Sequence, residues 1–337
     1  MINQRLFDHY GIDTHKHLAI TQRCPRPFDT LLIDSRGSCY ACECQAWLPQ
    51  SIGNLQFQDM EDILKGATRA RLQDSIQDGS YRYCNEHQCA YIKNKGVLDS
   101  REQHIRHLRL AIDDSCNLKC PSCRTAMVFH KSGPTFDTRV KLADKINQWL
   151  EAYEHPVMVH IGSDGDPFAS HVYRHFMSTT PEKPHTTYSI LTNGLMLKEF
   201  HKSIPHIIGN LQTLGISIDG ATKPTYEKLR RGGKWDKVLE ALDCARSLRR
   251  ENGFEFQLHM VVQQDNWHEM ELMDELAHQY EADRVYFNPI EDWNTGIDMS
   301  TQTFRQQPEF QQMVERLSDS RLAWVNMPNF VTKHPRK

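Results

Sequence analysis

From about residue 105 onward, the sequence alternates strand-like segments with longer helical patterns. In the stretch 234–250, for example, Trp235, Val238 and Leu242 recur at helical spacing. The strand-like segments are 107–113, 157–162, 186–194, 211–220, 254–262 and 284–290. Six such β/α units predict an α/β fold with a parallel sheet covered by helices, most simply an open, partial (β/α)6 TIM-like barrel. A doubly wound sheet is the alternative.

The first hundred residues have a different pattern, with short strands, turns, cysteines and one amphipathic helix predicted over 59–79. Met60 and Ile63 share the apolar face of that helix, and the pattern stops at Gly79. The polar stretch 91–104 is the best candidate for a domain boundary. The predicted organisation is a small cysteine-rich α+β domain (1–100), the partial barrel (101–300) and a polar, surface-exposed C-terminal extension (301–337).

Composition excludes several classes of protein. The 337 residues carry a formal net charge of −3, so no basic excess indicates nucleic-acid binding. The N-terminus lacks the apolar core of a signal peptide, and no run approaches the ~18 apolar residues of a membrane span. We therefore expect a cytoplasmic protein that does not bind a membrane.

The ten cysteines are clustered along the chain. Six of them lie within 24–89, and three more within 116–123. In a reducing compartment, clustered cysteines are more often metal ligands than disulfide partners.

The segment "DDSCNLKCPSC" (113–123) places Cys116, Cys120 and Cys123 directly after the first predicted strand of the barrel. In β/α barrels the reactive groups lie at the carboxyl ends of the strands. Three thiolates hold three irons of a [4Fe–4S] cluster and leave the fourth iron open, whereas a closed zinc site uses four ligands. A zinc site completed by a distant residue is the alternative.

This C-x3-C-x2-C spacing resembles that of the radical S-adenosylmethionine (radical SAM) superfamily, over about residues 105–290. The resemblance implies that S-adenosylmethionine chelates the open iron and is reductively cleaved. The product is a 5′-deoxyadenosyl radical that abstracts a hydrogen from the substrate. An electron donor such as flavodoxin or ferredoxin is implied as well.

Later segments resemble the cofactor-binding parts of the same superfamily. "GSDGDPFAS" (162–170) is similar to the glycine-rich segment that meets the amino group of the cofactor, and there Asp166 would neutralise the ammonium. "LTNG" (191–194) resembles a common turn, and 217–233 resembles the segment whose serine and arginine contact the cofactor carboxylate. Arg231 competes with Arg230 for that role. The cofactor-binding residues implied are Ser122, Gly162, Ser163, Asp164, Gly165, Asp166, Asn193, Ser217, Arg230 and Arg231.

Residues 24–92 resemble the SPASM and Twitch auxiliary-cluster domains, which in most relatives follow the barrel instead of preceding it. Six cysteines favour one auxiliary [4Fe–4S] cluster over two. Zinc is the alternative metal. Cys39 or Cys44 is a candidate hydrogen-atom donor to a substrate radical, with packing or an alternative ligand role as the other interpretation. The implied ligands are Cys24, Cys42, Cys84 and Cys89.

The resemblance leaves the substrate open. SPASM and Twitch relatives mostly modify peptides, so we expect crosslinking, oxidation or epimerisation of a peptide or protein. Against a peptide substrate, we expect no leader-peptide-binding domain, since few residues precede Cys24. Radical oxidation or rearrangement of a carbohydrate, nucleoside or other small molecule is the runner-up. A non-enzymatic zinc-binding module is the alternative from another class.

Overall fold

The computed structural model describes residues 2–93, 104–291, 296–327 and 330–331. All ten cysteines are free thiols. Among the helices in these ranges, none has both the length and the apolar character that crossing a membrane requires.

The β-strands of the described residues follow the predicted positions closely from residue 107 to residue 289. They are β1 (Thr30–Asp34), β2 (Ser38–Tyr40), β3 (Ser51–Asn54), β4 (His107–Ala111), β5 (Val157–Ile161), β6 (Thr186–Thr192), β7 (Leu211–Ser217), β8 (Glu255–Val262), β9 (Arg284–Pro289), β10 (Ala323–Met327) and β11 (Phe330–Val331).

The α-helices alternate with the strands from β4 onward. They are α1 (Gln4–His9), α2 (Arg26–Asp29), α3 (Met60–Leu64), α4 (Ala67–Gln77), α5 (Ala90–Lys93), α6 (Pro134–Ala152), α7 (His171–Thr179), α8 (Leu197–Phe200), α9 (Pro205–Gly209), α10 (Lys223–Leu229), α11 (Trp235–Asn252), α12 (Met270–Gln279) and α13 (Pro308–Leu317). Short 3-10 helices lie at His201–Ser203, Trp267–Glu269, Met299–Thr301 and Phe304–Gln306.

The chain divides into two compact units. Unit 1 consists of Met1–Asp113, Lys131–Asp164 and His175–Thr187. Its strand order is β5-β4-β1-β2-β3, in which β1 pairs in parallel with β4 and the next two strands are antiparallel. The cysteine-rich segment therefore adds its first strand to the parallel sheet. Residues on both sides of the predicted boundary share this unit, and residues 94–103 lie outside the described residues.

Unit 2 consists of Asp114–His130, Gly165–Arg174 and Tyr188–Lys337. Its strands are ordered β6-β7-β8-β9-β10-β11, and all pairs are parallel except the last. Along β8, buried residues alternate with partly exposed ones, which is the period of a strand with two different faces. The prediction of a mixed α/β fold built on parallel β/α units, with the cysteine-rich segment at the N-terminus, is confirmed.

The structure corrects the helix predicted over 59–79. It consists of two helices, α3 and α4, separated at Lys65 and Gly66. Gly66 has the extended conformation of a helix N-cap (φ −66°, ψ 144°). Glycine is a poor helix former, so the break falls where the helical pattern contains its weakest residue.

The C-terminal segment also differs from the predicted surface extension. Phe310, Met313, Val314 and Leu317 are buried on one face of α13, and β10 pairs in parallel with β9. These apolar residues recur at helical spacing, which is the pattern of a helix that packs on a core. Residues 332–337 lie outside the described residues.

One buried carboxylate fixes the loop between β7 and α10 in unit 2. Glu269 is 4% exposed. Its Oε2 accepts hydrogen bonds from the backbone N–H groups of Ala221 (2.7 Å) and Thr222 (3.1 Å). Its Oε1 accepts from the hydroxyls of Thr222 (2.7 Å) and Thr225 (2.5 Å). A single side chain thus satisfies the donors at the start of α10.

We expect Glu269→Gln to lower the free energy of unfolding by about 2–4 kcal/mol, because an amide nitrogen cannot accept two of these bonds and leaves buried donors unsatisfied. Chemical denaturation of the folded protein measures the change. The exposed Glu251→Gln is the control and should change stability by less than about 0.5 kcal/mol. Equal stability of the two variants would contradict the assignment.

Candidate active site and auxiliary metal centre

The three cysteines of the 113–123 segment lie in one loop of unit 2, directly after β4 along the chain. Cys116 and Cys120 are buried, and Cys123 is exposed. The backbone N–H of Cys116 donates to the carbonyl of Val128 (2.8 Å), and that of Cys123 donates to the carbonyl of Cys120 (2.9 Å). The thiol of Cys120 interacts electrostatically with those of Cys116 and Cys123. The fold therefore brings these thiols together.

A second loop of unit 2 packs against this cysteine loop. The backbone N–H of Lys119 donates to the carbonyl of Arg231 (3.0 Å). Gly232 has a φ of +100°, a conformation that favours glycine. A Cβ at that position would lie 2.6 Å from Cε of Met127. The turn after α10 thus fits closely over the cysteine loop.

Burial controls the protonation of the thiols. It raises the pKa of Cys116 to about 11, and the charge of Asp166 adds to the effect. Burial also raises the pKa of Cys120, while the charge of Arg230 opposes the rise. At neutral pH these groups carry protons, so a metal that binds here must displace them.

Asp166 is 2% exposed and accepts four hydrogen bonds. Its Oδ2 accepts from the hydroxyl of Thr192 (2.8 Å) and the backbone N–H of Asn193 (2.7 Å), both on the β6 side. Its Oδ1 accepts from the backbone N–H groups of Phe168 (3.1 Å) and Ala169 (3.0 Å). Burial raises the pKa of Asp166, and the hydrogen bonds oppose that rise. Asp166 is therefore a positioning residue, and its contact with the cofactor ammonium stays a prediction.

Asn193 connects the turn after β6 to the cysteine loop. Its Nδ2 donates to Oδ1 of Asn117 (2.8 Å) and lies 3.8 Å from Sγ of Cys116, within hydrogen-bonding range of a sulfur acceptor. Its Oδ1 accepts from the backbone N–H of Leu195 (3.0 Å). The side chain is 4% exposed, so these bonds are shielded from water.

Ser217 and the two arginines lie on the segment between β7 and α11. The side chain of Arg230 is 12% exposed and forms an ion pair with Asp219, with 2.7 Å between Nε and Oδ2. The charge of Asp219 raises the pKa of Arg230, against the effect of burial. Asp219 also accepts from the backbone N–H of Val261 (2.9 Å) through Oδ1. Ser217 is the last residue of β7, and Arg231 is exposed.

The remaining candidates lie on loops. Gly162 and Gly165 have positive φ values of 100° and 66°, so this turn requires the freedom of glycine. Ser163 is exposed, and its backbone N–H donates to the carbonyl of Leu110 (3.3 Å) within unit 1. Asp164 is exposed, and Ser122 is partly exposed in the cysteine loop.

Four other cysteines converge on one cavity in unit 1. Cys24, Cys42, Cys84 and Cys89 line it together with apolar and aromatic side chains. The thiols lie close enough to affect one another: burial raises the pKa of Cys84, and the charges of the other three add to the rise. The structure thus brings together the four residues that the sequence predicted as auxiliary ligands.

Tyr81 holds two of these cysteines in place. Its hydroxyl accepts from the backbone N–H of Cys24 (2.9 Å), and its carbonyl accepts from the backbone N–H of Cys84 (2.9 Å). Its φ of +50° is unusual for a bulky residue. The backbone N–H of Cys89 donates to the carbonyl of Asn85 (2.8 Å). The unfavourable backbone conformation of Tyr81 therefore occurs at a residue that orients two of the proposed cysteine ligands.

Both donor sets consist of thiols alone: three in the loop of unit 2 and four around the cavity of unit 1. Thiolates are the ligands of iron–sulfur clusters, and a set of four also suits zinc. The residues present therefore fit an iron–sulfur cluster at each place.

The two candidate hydrogen-atom donors differ in their surroundings. Cys39 is fully buried in β2, and its Sγ lies 3.6 Å from the carbonyl oxygen of Gly37. Burial raises the pKa of this thiol to about 12. Cys44 is partly exposed and close enough to Cys89 to affect its pKa. Cys39 therefore lies where a packing role is expected, and Cys44 lies beside the proposed auxiliary ligands.

Sequence reasoning missed several residues that organise the site. Asn117 stands between two cysteines, where its side chain meets that of Asn193. Asp219 follows the end of β7 and neutralises Arg230. A polar residue at the end of a parallel strand is a signal that would have identified Asp219. The role of Tyr81 has no such signal, because it depends on a contact with the distant Cys24.

Comparison with known protein families identifies both parts of the chain. Residues 112–277 match the family model of the radical SAM superfamily, and residues 24–90 match the model of the SPASM iron–sulfur cluster-binding domain. The chain therefore contains a radical SAM domain and, on the N-terminal side of it, an SPASM domain. The first domain implies a [4Fe–4S] cluster and S-adenosylmethionine, and the second implies an auxiliary iron–sulfur cluster. The predicted family and cofactors are confirmed, while the individual ligand assignments stay predictions.

The curated relatives are similar over about half of this chain. A GTP 3′,8-cyclase of Staphylococcus carnosus is 26% identical over 178 residues, which is 50% of this chain and 49% of the relative. The enzyme of the same name from Lactiplantibacillus plantarum is 30% identical, over 45% of each chain. Molybdenum cofactor biosynthesis protein 1 of Drosophila melanogaster is 26% identical over 54% of this chain and 31% of its own. The chain thus spans about half or less of the length of these relatives.

Two solved structures also resemble this chain. Streptococcus suis SuiB bound to S-adenosylmethionine is 14% identical, with a TM-score of 0.46 over 66% of this chain and 51% of its own. The enzyme anSMEcpe with bound AdoMet is 18% identical, with a TM-score of 0.45 over 66% of this chain and 63% of its own.

Replacing Asn193 with alanine removes a hydrogen-bond donor to Cys116. Because such a bond stabilises the more negative, reduced cluster, we expect the midpoint potential of the cluster to fall by about 30–60 mV. Redox titration followed by electron paramagnetic resonance measures the potential. Asn252→Ala, whose amide caps α11 far along the chain, is the matched control, and an unchanged potential in Asn193→Ala would contradict the role.

Replacing Cys24, Cys42, Cys84 and Cys89 with alanine together should remove about four of roughly eight irons per chain, because the cavity would lose all its proposed ligands. Metal analysis of protein purified without oxygen measures iron and zinc. Cys244→Ala, on α11, should keep the full iron content. If the wild type contained zinc and the quadruple variant lost that zinc, the assignment of iron to this site would be wrong.

Proposed function

We propose that this radical SAM enzyme reductively cleaves S-adenosylmethionine and abstracts a hydrogen atom from its substrate. The observation that carries the proposal is the cysteine loop of unit 2, where Cys116, Cys120 and Cys123 share one turn of chain at the end of a parallel strand. These three thiolates would hold three irons of a [4Fe–4S] cluster and leave the fourth open to the cofactor, and the reduced cluster would supply the electron for cleavage of the sulfonium.

The surrounding residues hold this loop and shape its charge. Asp166 joins the loops that follow β5 and β6, and Asn193 donates toward Cys116. Arg230 is neutralised by Asp219, which suits a positioning role beside Cys120. The exposed Arg231 is then the better candidate for the cofactor carboxylate, since its guanidinium forms no ion pair within the described residues. Ser217 keeps its proposed role at the end of β7.

The auxiliary centre of unit 1 supports an oxidative outcome. Four cysteines around one cavity would saturate all four irons, which leaves no open iron for direct substrate binding. A saturated cluster can still accept the electron that a substrate radical loses when it is oxidised. We propose this electron-accepting role for the centre held by Cys24, Cys42, Cys84 and Cys89.

A peptide or protein is the first candidate substrate, because the SPASM domain is typical of peptide-modifying members of the superfamily. A small molecule such as a nucleotide is the second candidate, favoured by the similarity of about half of this chain to GTP 3′,8-cyclases. We also propose that the chain is organised in three parts, residues 1–100, 101–300 and 301–337. The proposal also includes a flavodoxin or ferredoxin as electron donor and a cytoplasmic location, where thiolate ligands stay reduced.

Replacing Cys116, Cys120 and Cys123 with alanine together should abolish 5′-deoxyadenosine formation with dithionite as reductant, because the loop can no longer hold a cluster. Chromatography of the anaerobic reaction measures the product. The auxiliary cluster should remain, with about four irons per chain. Cleavage at the wild-type rate by this variant would overturn the proposed function, and Cys244→Ala serves as the control.

A further inference from the structure

A polar cluster of unit 1 lies beside the auxiliary cavity and has no role in the function proposed so far. Arg26 and Tyr91 belong both to this cluster and to the lining of the cavity that holds the four thiols. Its other members come from β4, β5 and the loop after β2. The full set is Arg26, Glu43, Tyr91, His107, Arg109 and His160.

Two guanidinium groups in this cluster share one carboxylate oxygen. Nη2 of Arg26 lies 3.4 Å from Oε2 of Glu43, and Nη1 of Arg109 lies 3.9 Å from the same atom. Arg26 also donates to the hydroxyl of Tyr91 (3.1 Å). The other nearby carboxylate, Asp29, accepts the hydroxyl of Thr30 (2.8 Å). Among the described residues, Glu43 is thus the carboxylate within ion-pair distance of both arginines, and Asp29 acts on Arg26 from farther away.

Arg109 has donors that the protein does not use. Its Nε is buried and has no acceptor in the described part of the chain. The 3.9 Å separation from Glu43 is longer than a hydrogen bond, so the pair interacts through charge alone. The side chain as a whole is 30% exposed. A buried donor without an acceptor is costly, and a ligand that supplies the acceptor would remove that cost.

Two histidines complete the cluster. Nδ1 of His107 and Nε2 of His160 are 3.2 Å apart, and His160 is the register partner of Arg109 across β4 and β5. Burial, followed by the charges of Arg109, His107 and Arg26, lowers the pKa of His160 to about 3. Burial and the charge of Arg26 also lower the pKa of His107. Both rings are therefore neutral at neutral pH, so the charge of the site comes from its arginines.

We propose that Arg109, together with Arg26, binds an anionic group of the substrate, a carboxylate or a phosphate, beside the auxiliary centre. The planar guanidinium of Arg109 offers several N–H donors to the two oxygens of such a group. The description of the ligand as substrate rests on the proposed function. Anion binding itself does not.

The test is calorimetric titration of the anaerobically purified full chain with pyrophosphate and, separately, with glutarate. Saturable binding should weaken by about tenfold or more in Arg109→Gln, because charge and fork are both lost. Arg109→Lys keeps the charge without the fork and should bind with intermediate affinity. Tighter binding of pyrophosphate identifies a phosphate-bearing substrate, and tighter binding of glutarate identifies a carboxylate.

Arg284→Gln is the matched control, because Arg284 is similarly exposed (28%) but already paired with Glu255 (2.8 Å). It should bind both probes as the wild type does. Equal affinities in the wild type, Arg109→Gln and Arg109→Lys would overturn the proposal, as would the absence of saturable binding in the wild type. Repeating the titration on the variant without Cys116, Cys120 and Cys123 separates this result from any failure of radical chemistry.

Discussion

A buried carboxylate with four hydrogen bonds is the constraint on which the strand-end loops of unit 2 depend. Asp166 could not be buried as an anion without those donors, and the donors could not be buried without an acceptor. The bonds fix the turn that begins at Asn193, whose amide then reaches the cysteine loop. One network therefore sets the position of both the loop that follows β6 and the ligand Cys116.

The two groups of cysteines differ in the metal coordination that they allow. The loop of unit 2 offers three thiols, one of them exposed. The largely buried guanidinium of Arg230, from the segment after α10, lies near Cys120. The cavity of unit 1 offers four thiols among apolar and aromatic side chains. An open coordination position suits a site where a cofactor must bind, whereas complete coordination suits electron transfer. Positive charge near either group stabilises the anionic thiolates that hold iron.

Much of the site could be predicted from the sequence because it depends on the spacing of residues that are close along the chain. The distances between Cys116, Cys120 and Cys123 along the chain fix their number and their common loop, and the strand-helix alternation fixes the end of the strand on which they lie. The ion pair between Arg230 and Asp219 could not be predicted from the sequence. The two residues are eleven positions apart, and α10 lies between them and brings them into contact. The break at Gly66 and the packing of α13 were misjudged because neighbouring elements decide whether a helical pattern continues or is buried.

The sequence alone determined the parallel β/α class and the ligand chemistry, because hydrophobic period and cysteine spacing are local properties. It also singled out Cys24, Cys42, Cys84 and Cys89 by resemblance. Only the tertiary structure decided that these four residues share one cavity, that β1 joins β4, and that Arg109 keeps an unused donor. Those facts depend on contacts between residues distant in the chain, and their energies come from burial that no local pattern encodes.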